Sequence, residues 1–185
     1  FPEYTGTSPE GKAYSCTPLT TEAKWESLAE GRGRWKADID GKDLLVTVEA
    51  PLPRGKGSIF VEIEPRRLWP VMKFEALADG GQKHHNKLLV PDERWTVMIT
   101  DETKRVAAFR IPLAVIREED FSKPLRVNVY TQGPDGVSDA WIPKNPWPER
   151  LFFGNDNPAD LGWLFFHPAE GVHGDLGMLA RRDAL

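Results

Sequence analysis

The chain of 185 residues is long enough for one domain with a sizeable hydrophobic core. Its 40% hydrophobic and 28% charged residues are ordinary for a globular protein, and no apolar run approaches the roughly 18 residues of a membrane span. The formal net charge of −4 argues against nucleic acid as a partner, because phosphates require a basic surface. A single cysteine, Cys16, excludes a disulfide within the chain and a cysteine-rich zinc site.

The N-terminal segment differs in composition from the rest of the chain. Residues 1–20 are rich in Pro, Gly, Ser and Thr, which predicts an extended arm. Thr21 is expected to cap a short helix that ends near Leu28. We therefore divide the chain into an arm and short helix at residues 1–30, packed on a single domain at residues 31–185.

Alternation of apolar and polar residues predicts short strands along most of the domain. Residues 34–39 and 44–50 form a predicted hairpin with its turn at Asp40-Gly41, and the clearest strand covers residues 58–64. Further strands are predicted at residues 71–77, 83–90, 94–100, 105–111, 125–131 and 163–166, with one helical turn at 113–116. Strands at intervals of about 8–12 residues predict an all-β, antiparallel β-sandwich with jelly-roll or immunoglobulin-like layering.

Six of the seven tryptophans divide into two groups. Three fall in phase with predicted strands and are expected in the core: Trp35, Trp95 and Trp163. Three lie near prolines at strand exits and are candidate platforms for a sugar ring: Trp69, Trp141 and Trp147. Large, rigid aromatic faces suit the C–H face of a pyranose. The alternative for each platform candidate is structural packing beneath a loop.

Polar residues near the platform candidates could bind sugar hydroxyls. The candidates are Arg66, Arg67, Asn145 and Arg150. The alternative is that each belongs to a solvated rim, or forms a salt bridge to Glu62 or Glu64. Only the sugar-binding interpretation predicts that these side chains lie together around a ligand.

The order of motifs in residues 35–166 resembles a known family. A Phe-Arg-Ile-Pro-Leu strand end at 109–113 is followed by a Leu-Arg-Val-Asn-Val strand at 125–129 and by Phe-Gly at 153–154. This order is similar to that of the family 9 carbohydrate-binding modules and their superfamily, which includes DOMON domains and haem-bearing dehydrogenase subunits. The resemblance implies sugar binding by stacked tryptophans, frequent structural calcium and attachment to secreted polysaccharide-degrading enzymes. Phe-Arg stands in place of the Glu that such modules often have before Ile-Pro-Leu.

A cluster of Asn and Asp residues offers the oxygen ligands that calcium prefers. Its members are Asn155, Asp156, Asn157 and Asp160. The alternative is that these side chains only shape a turn. It is favoured on general grounds, because Asn and Asp side chains commonly form hydrogen bonds with their own backbone. A structural Ca²⁺ ion is therefore expected at this cluster if the domain binds one at all.

Two histidines and two methionines raise an alternative function, which is haem binding. Adjacent His84 and His85 on a strand point to opposite faces, which argues against one metal bound by both. A Met/His haem site would instead combine His85 with Met72 or Met98. Such a pair would make the chain an electron-transfer domain of the same superfamily.

Catalytic motifs are missing from the sequence. It contains no Ser/His/Asp signature, no phosphate-binding glycine loop and no His-Glu-x-x-His, and no carboxylate stands out among the 28 Asp and Glu. The sequence therefore predicts a non-catalytic carbohydrate-binding module that binds an oligo- or polysaccharide. A covalently linked catalytic domain is the expected partner, and nucleic acid and membrane are not expected. The remaining alternative is a structural or interaction domain without a ligand.

The first residues of the chain indicate where in or outside the cell the protein is expected. The chain begins at Phe1 rather than Met, and no signal peptide is visible. We expect a mature secreted, extracellular or periplasmic protein, or a domain of a longer one.

Overall fold

Two mostly antiparallel β-sheets face each other in this chain. The computed structural model describes residues 19–64, 71–85, 92–136, 138–143 and 161–166. These ranges contain twelve strands and no helix. The predicted all-β sandwich is confirmed.

The larger sheet has seven strands. Its strands are β1 (Leu19–Thr21), β5 (Ser58–Glu64), β6 (Met72–Leu77), β7 (Gln82–His85), β10 (Leu125–Gln132), β11 (Ser138–Ala140) and β12 (Gly162–Phe165). They lie in the order β1-β12-β10-β5-β6-β7. Strands β11 and β12 follow one another along the same edge of β10, since Tyr130 pairs with Ala140 and Arg126 pairs with Trp163.

The smaller sheet has five strands. Its strands are β2 (Glu26–Ser27), β3 (Arg34–Asp40), β4 (Asp43–Ala50), β8 (Thr96–Asp101) and β9 (Arg105–Pro112). They lie in the order β2-β3-β4-β9-β8, which leaves β2 and β8 at the two edges.

The core fills the space between the inner faces of the two sheets. Side chains alternate between faces along a strand, and Ile59, Val61 and Ile63 are buried on the inner face of β5, as predicted. Trp35 and Trp95 are also buried core residues, as predicted. The prediction for Trp163 is wrong in phase, because its neighbour Leu164 is the buried core residue and Trp163 lies on the outer face beside Arg126.

The helix predicted between Thr21 and Leu28 is wrong. Strand β1 instead pairs in parallel with β12, β2 pairs with β3, and Ala23 between them has a positive φ of 61°. Helix propensity is a weak local preference, and here the pairing with distant strands overrides it. Since β1 and β2 contribute to the two sheets, the sandwich extends N-terminally at least to Leu19.

The predicted hairpin between β3 and β4 is confirmed, with its turn shifted by one residue. Asp40 pairs with Asp43, and Gly41, with a φ of 60°, is one of the two residues between them. Arg110 bonds both carboxylates, with Nη2 3.0 Å from Asp40 Oδ2 and Nη1 2.8 Å from Asp43 Oδ2. Arg110 therefore links β9 to the hairpin turn by exposed ion pairs.

Candidate functional site

Trp141 is the one predicted platform that falls within the described ranges. Its side chain is only 8% exposed, and its ring packs edge-on against Trp35 with centroids 5.0 Å apart. It also lies so close to Gly162 that a Cβ there would stand 2.6 Å from two ring atoms. The structure therefore places Trp141 in the core, where no ring face is available to a sugar.

The other predicted site residues lie outside the described residues. The sugar-binding candidates among them are Arg66, Arg67, Trp69, Asn145, Trp147 and Arg150. The calcium candidates are Asn155, Asp156, Asn157 and Asp160. Within the described ranges, no three His, Cys, Asp or Glu side chains are grouped so that they could hold a metal ion.

The described methionines do not pair with His85. Met72 precedes Lys73, the residue that pairs with His85 across β6 and β7, so the Met72 side chain lies on the opposite, buried face of the sheet. Met98 is exposed on the smaller sheet. The Met/His arrangement of the haem alternative is therefore not formed by these residues.

A cavity of about 390 Å³ lies on the outer face of the larger sheet. The register places outward-facing residues of three adjacent strands side by side, with Asn128 next to Glu62 and Glu62 next to Lys73. Tyr130 and Gln132 continue the floor along β10. The loop between β2 and β3 and the segment 138–143 form the walls. Residues far apart in sequence thus meet around one concave surface.

Asp139 holds one wall of this cavity in place. Its Oδ1 accepts a hydrogen bond from the backbone amide of Glu30 at 2.8 Å, and its Oδ2 accepts one from Arg32 at 3.1 Å. The amide of Ala29 donates to the carbonyl of Ala140 at 2.8 Å beside them. Asp139 is buried, so these amide bonds compensate the desolvation of its carboxylate. Its role is to join the β2–β3 loop to β11.

Asn128 holds the second wall. Its Nδ2 donates to the carbonyl of Ile142 at 3.0 Å, and its Oδ1 accepts from the amide of Ile142 at 3.1 Å. This pair of bonds lets a side chain act as a strand backbone would, so the segment beyond β11 stays beside β10. Ile142 and Pro143 therefore line the cavity as a fixed rim.

The remaining floor residues combine charge, amide and aromatic groups. The Lys73 ammonium lies 3.8 Å from the carboxylate of Glu62, a residue that is only 8% exposed. The Tyr130 ring stacks on Phe60 with centroids 4.6 Å apart and planes inclined by 9°. Stacking orients the phenol ring against the sheet. The floor therefore offers hydrogen-bond donors and acceptors around a positioned aromatic ring.

The fold brings the starts of the two predicted platform loops to one end of this outer face. Glu64, before the first loop, pairs with Arg126 on β10, and Ile142, before the second, bonds Asn128 on the same strand. Trp69 comes two residues before Val71, and Asn145 comes two after Pro143. The described part of the chain therefore leads into both predicted platform loops at the same end of β10.

A shielded ion pair occupies the same end of the sheet. Arg126 Nη1 lies 3.1 Å from Glu64 Oε2, and the two side chains are only 22% and 21% exposed. Burial raises the pKa of Glu64 and lowers the pKa of Arg126, and their mutual attraction opposes both shifts. The Arg126 guanidinium also lies 5.3 Å from the centre of the Trp163 ring. This part of the outer face is thus more shielded from water than an open sheet surface.

His84 is a second buried titratable group, on the inner face near the sheet edge. It is 5% exposed, stacks on Phe74 at 4.5 Å, and its Nδ1 lies 3.1 Å from the carbonyl oxygen of Asp92. Its Nε2 is buried without a hydrogen-bond partner in the described part of the chain. Burial lowers the pKa of the imidazole, although the Asp92 carbonyl and the charges of Glu93 and Asp92 act in the opposite direction.

We expect His84 to make the fold less stable as the pH falls below about 6.5. In the unfolded chain the imidazole takes up a proton near its ordinary pKa of 6.5, whereas in the folded protein it stays neutral to lower pH. Each extra proton bound by the unfolded state changes stability by about 1.4 kcal/mol per pH unit. His84→Asn keeps a hydrogen-bonding group near the Nδ1 position and removes the titration.

Urea denaturation at a series of pH values between neutral and mildly acidic checks this expectation. The difference in unfolding free energy between wild type and His84→Asn should narrow as the pH falls. A constant difference would show that the folded and unfolded chains titrate His84 alike.

In comparisons with known proteins, no family model matches this chain and no curated protein matches its sequence. No helix in the described ranges is long and apolar enough to cross a membrane. The resemblance to the family 9 modules therefore stays a prediction from the order of the motifs.

Proposed function

We propose that this chain is a non-catalytic carbohydrate-binding domain whose binding site is the cavity on the outer face of the larger sheet. The observation that carries the proposal is the cavity itself, because its volume of about 390 Å³ is within the range of ligand-binding pockets and its lining is rich in hydrogen-bonding groups. The walls are held by buried side-chain bonds, so the site is formed before a ligand arrives.

The chemistry of the lining fits a polyhydroxylated ligand. Glu30 and Glu62 can accept hydrogen bonds from hydroxyls, Lys73 can donate, and Gln132 can do both. Tyr130 contributes an aromatic surface for C–H groups. A sugar can use this combination of groups, whereas a purely apolar ligand would form no hydrogen bond with any of them.

The charge of the lining narrows the class of sugar. Three acidic residues, Glu30, Glu62 and Asp139, and one basic residue, Lys73, line the cavity, and the Asp139 carboxylate is bonded to the amides of Glu30 and Arg32. Like charges in a partly enclosed site repel, so uronic acids and sulfated sugars are disfavoured. Neutral oligosaccharides are the proposed ligands.

The remaining features of the proposal come from the resemblance and from the loops. Trp69 and Trp147, on the two predicted platform loops, are the proposed additional platforms, and Arg67, Asn145 and Arg150 of the same loops are the proposed hydrogen-bonding residues. A structural Ca²⁺ ion at the Asn155–Asp160 cluster, secretion and a covalently linked catalytic domain complete the module. Binding is proposed as non-catalytic because no catalytic motif is present in the sequence.

Isothermal titration calorimetry with a panel of neutral and acidic oligosaccharides tests the proposal. We expect neutral members to bind, and Lys73→Met and Tyr130→Ala each to weaken binding roughly tenfold, the effect of losing a charged hydrogen bond or an aromatic contact. Lys36→Met is the matched control, because Lys36 lies on the smaller sheet and also pairs with a carboxylate, that of Asp38 at 3.4 Å.

Three outcomes separate the parts of the proposal. If no glycan of a broad panel binds, carbohydrate binding fails and the domain is structural. If Trp69→Ala and Trp147→Ala abolish binding while Lys73→Met and Tyr130→Ala leave it unchanged, the ligand binds to the loops and not in the cavity. If Lys36→Met weakens binding as much as Lys73→Met, the effect is general electrostatics.

A further inference from the structure

Strand β8 is an exposed edge of the smaller sheet. In the part of the chain that the structure describes it pairs with β9 alone, and Met98 at its centre is 76% exposed. Its six residues contain no Pro, Gly or Lys, and the one charged residue, Asp101, stands at its end. Edge strands normally carry such residues, because free backbone N–H and C=O groups invite another strand.

The opposite edge of the same sheet does carry protective features. Strand β2 is two residues long, and the ring of neighbouring Trp25 is covered by the Arg34 guanidinium at 4.0 Å. A short strand bordered by cations offers little to an incoming chain. Within the described residues, β8 is therefore the edge of the smaller sheet that lacks such protective features.

We propose that β8 pairs antiparallel with β8 of a second copy of this chain, about a two-fold axis. The pairing joins two five-stranded sheets into one continuous sheet and satisfies the open backbone groups of both edges. The interface is separate from the proposed carbohydrate site, which lies on the other sheet, so the two proposals can fail independently.

The charges of the residues that flank β8 favour one register of this pairing. Side chains that face each other across antiparallel strands lie on the same face, so Met98 opposite its own copy places Thr96 opposite Thr100 and Arg94 opposite Glu102. Arg94 and Glu102 have opposite charges, and Arg94 is 68% exposed while it bonds Asp92. Arg94 lies two residues before β8 and Glu102 directly after it, so complementary charges would flank both ends of the shared strand pair.

Neighbouring registers lose this complementarity. A shift of two residues in one direction places Arg94 opposite Lys104, and a shift in the other places Asp92 opposite Glu102. Like charges directly opposite each other destabilise a strand pair. A parallel arrangement would bring Arg94 near its own copy. The antiparallel register centred on Met98 is thus the one that the charges favour.

Sedimentation of the full chain over a range of concentrations measures the association. We expect a monomer–dimer equilibrium in wild type, roughly tenfold weaker dimerisation in Arg94→Glu and in Glu102→Arg, and recovery in the double variant Arg94→Glu/Glu102→Arg. Arg32→Glu, an exposed charge reversal in the β2–β3 loop, is the control and should dimerise as wild type does. A monomer at every concentration, or a double variant no better than the single ones, overturns the proposal.

Disulfide formation tests the register directly. In a chain whose native Cys16 is replaced by Ser, Met98→Cys should form a dimer with oxidised glutathione, because directly opposed residues lie about 4.5–5.5 Å apart. Ala108→Cys is the matched control, since Ala108 pairs with Met98 and is exposed on the same face, but lies one strand away from the edge. Equal cross-linking of the two cysteines overturns the proposed register.

Discussion

Replacing Arg105 by methionine is expected to lower the free energy of unfolding by about 3–5 kcal/mol. The Arg105 side chain is completely buried, and its Nη1 donates to the carbonyls of Lys56 and Gly57 at 2.8 and 3.1 Å. Its Nη2 donates to the carbonyl of Pro53 at 2.9 Å and to Asp101 Oδ2 at 3.2 Å. Methionine fills similar space but removes all four hydrogen bonds, and a hydrogen bond to a charged group contributes about 1.5–3 kcal/mol. The Pro53 carbonyl still accepts from the amide of Lys56, and Asp101 from the amide of Gly55, whereas the carbonyls of Lys56 and Gly57 lose their arginine donor.

Urea denaturation followed by tryptophan fluorescence measures this change. Arg110→Met is the matched control, because Arg110 is on the same strand and also bonds two carboxylates, but its side chain is 45% exposed. Exposed ion pairs contribute little, so this variant should stay close to wild type. A loss smaller than about 1 kcal/mol in Arg105→Met would show that water replaces the arginine at low cost.

Arg105 also illustrates what the sequence could not reveal. The strand that begins with it was predicted at residues 105–111, and in the structure Ala107, Phe109 and Ile111 are buried on one of its faces. Arg105 belongs to that same inward phase, where a charged residue has no local reason to lie. Its burial depends on carbonyls of the loop 53–57, roughly fifty positions earlier in the chain. Such a non-local partner leaves no periodic signal in the sequence.

The strands themselves were predictable because their signal is local. Alternation in residues 58–64 predicted a strand and also which of its side chains face the core. The segment 20–28 was predicted wrongly because its capping residues resemble a helix start, while its strand partners, β12 and β3, lie elsewhere in the chain. Trp163 was assigned to the core because a one-residue error in phase moves a side chain to the other face.

The cavity was not predictable, although one of its signals was present. The outward phase of the predicted strand 125–131 carries Arg126, Asn128 and Tyr130, which is unusually polar and aromatic for a plain solvent face. Recognition of a site also required the register that places Glu62 beside Asn128, and the bonds from Asp139 that hold the β2–β3 loop. These are contacts between segments more than sixty residues apart or between different sheets, and alternation says nothing about them.

Trp141→Ala is expected to destabilise the fold by about 3–5 kcal/mol, the usual cost of removing a buried tryptophan. The ring packs against Trp35 and fills the space above Gly162 on β12. Trp141→Phe should cost considerably less, because a phenyl ring keeps part of this contact. If Trp141 were instead a surface platform for sugar, Trp141→Ala would leave stability unchanged and weaken glycan binding, and the same denaturation and calorimetry measurements separate the two roles.

Gly162 provides a coupled test of the same contact. A Cβ at this position would lie 2.6 Å from Trp141 ring atoms and 2.7 Å from Ile142 Cδ1, so Gly162→Ala alone should cost about 1–3 kcal/mol through overpacking. In the Trp141→Ala background the new methyl group enters space that the indole has left. The double variant should therefore be more stable than the sum of the single changes by about 1 kcal/mol or more. Strict additivity would mean that the two residues do not share this space, and that β12 is held against the core by other contacts.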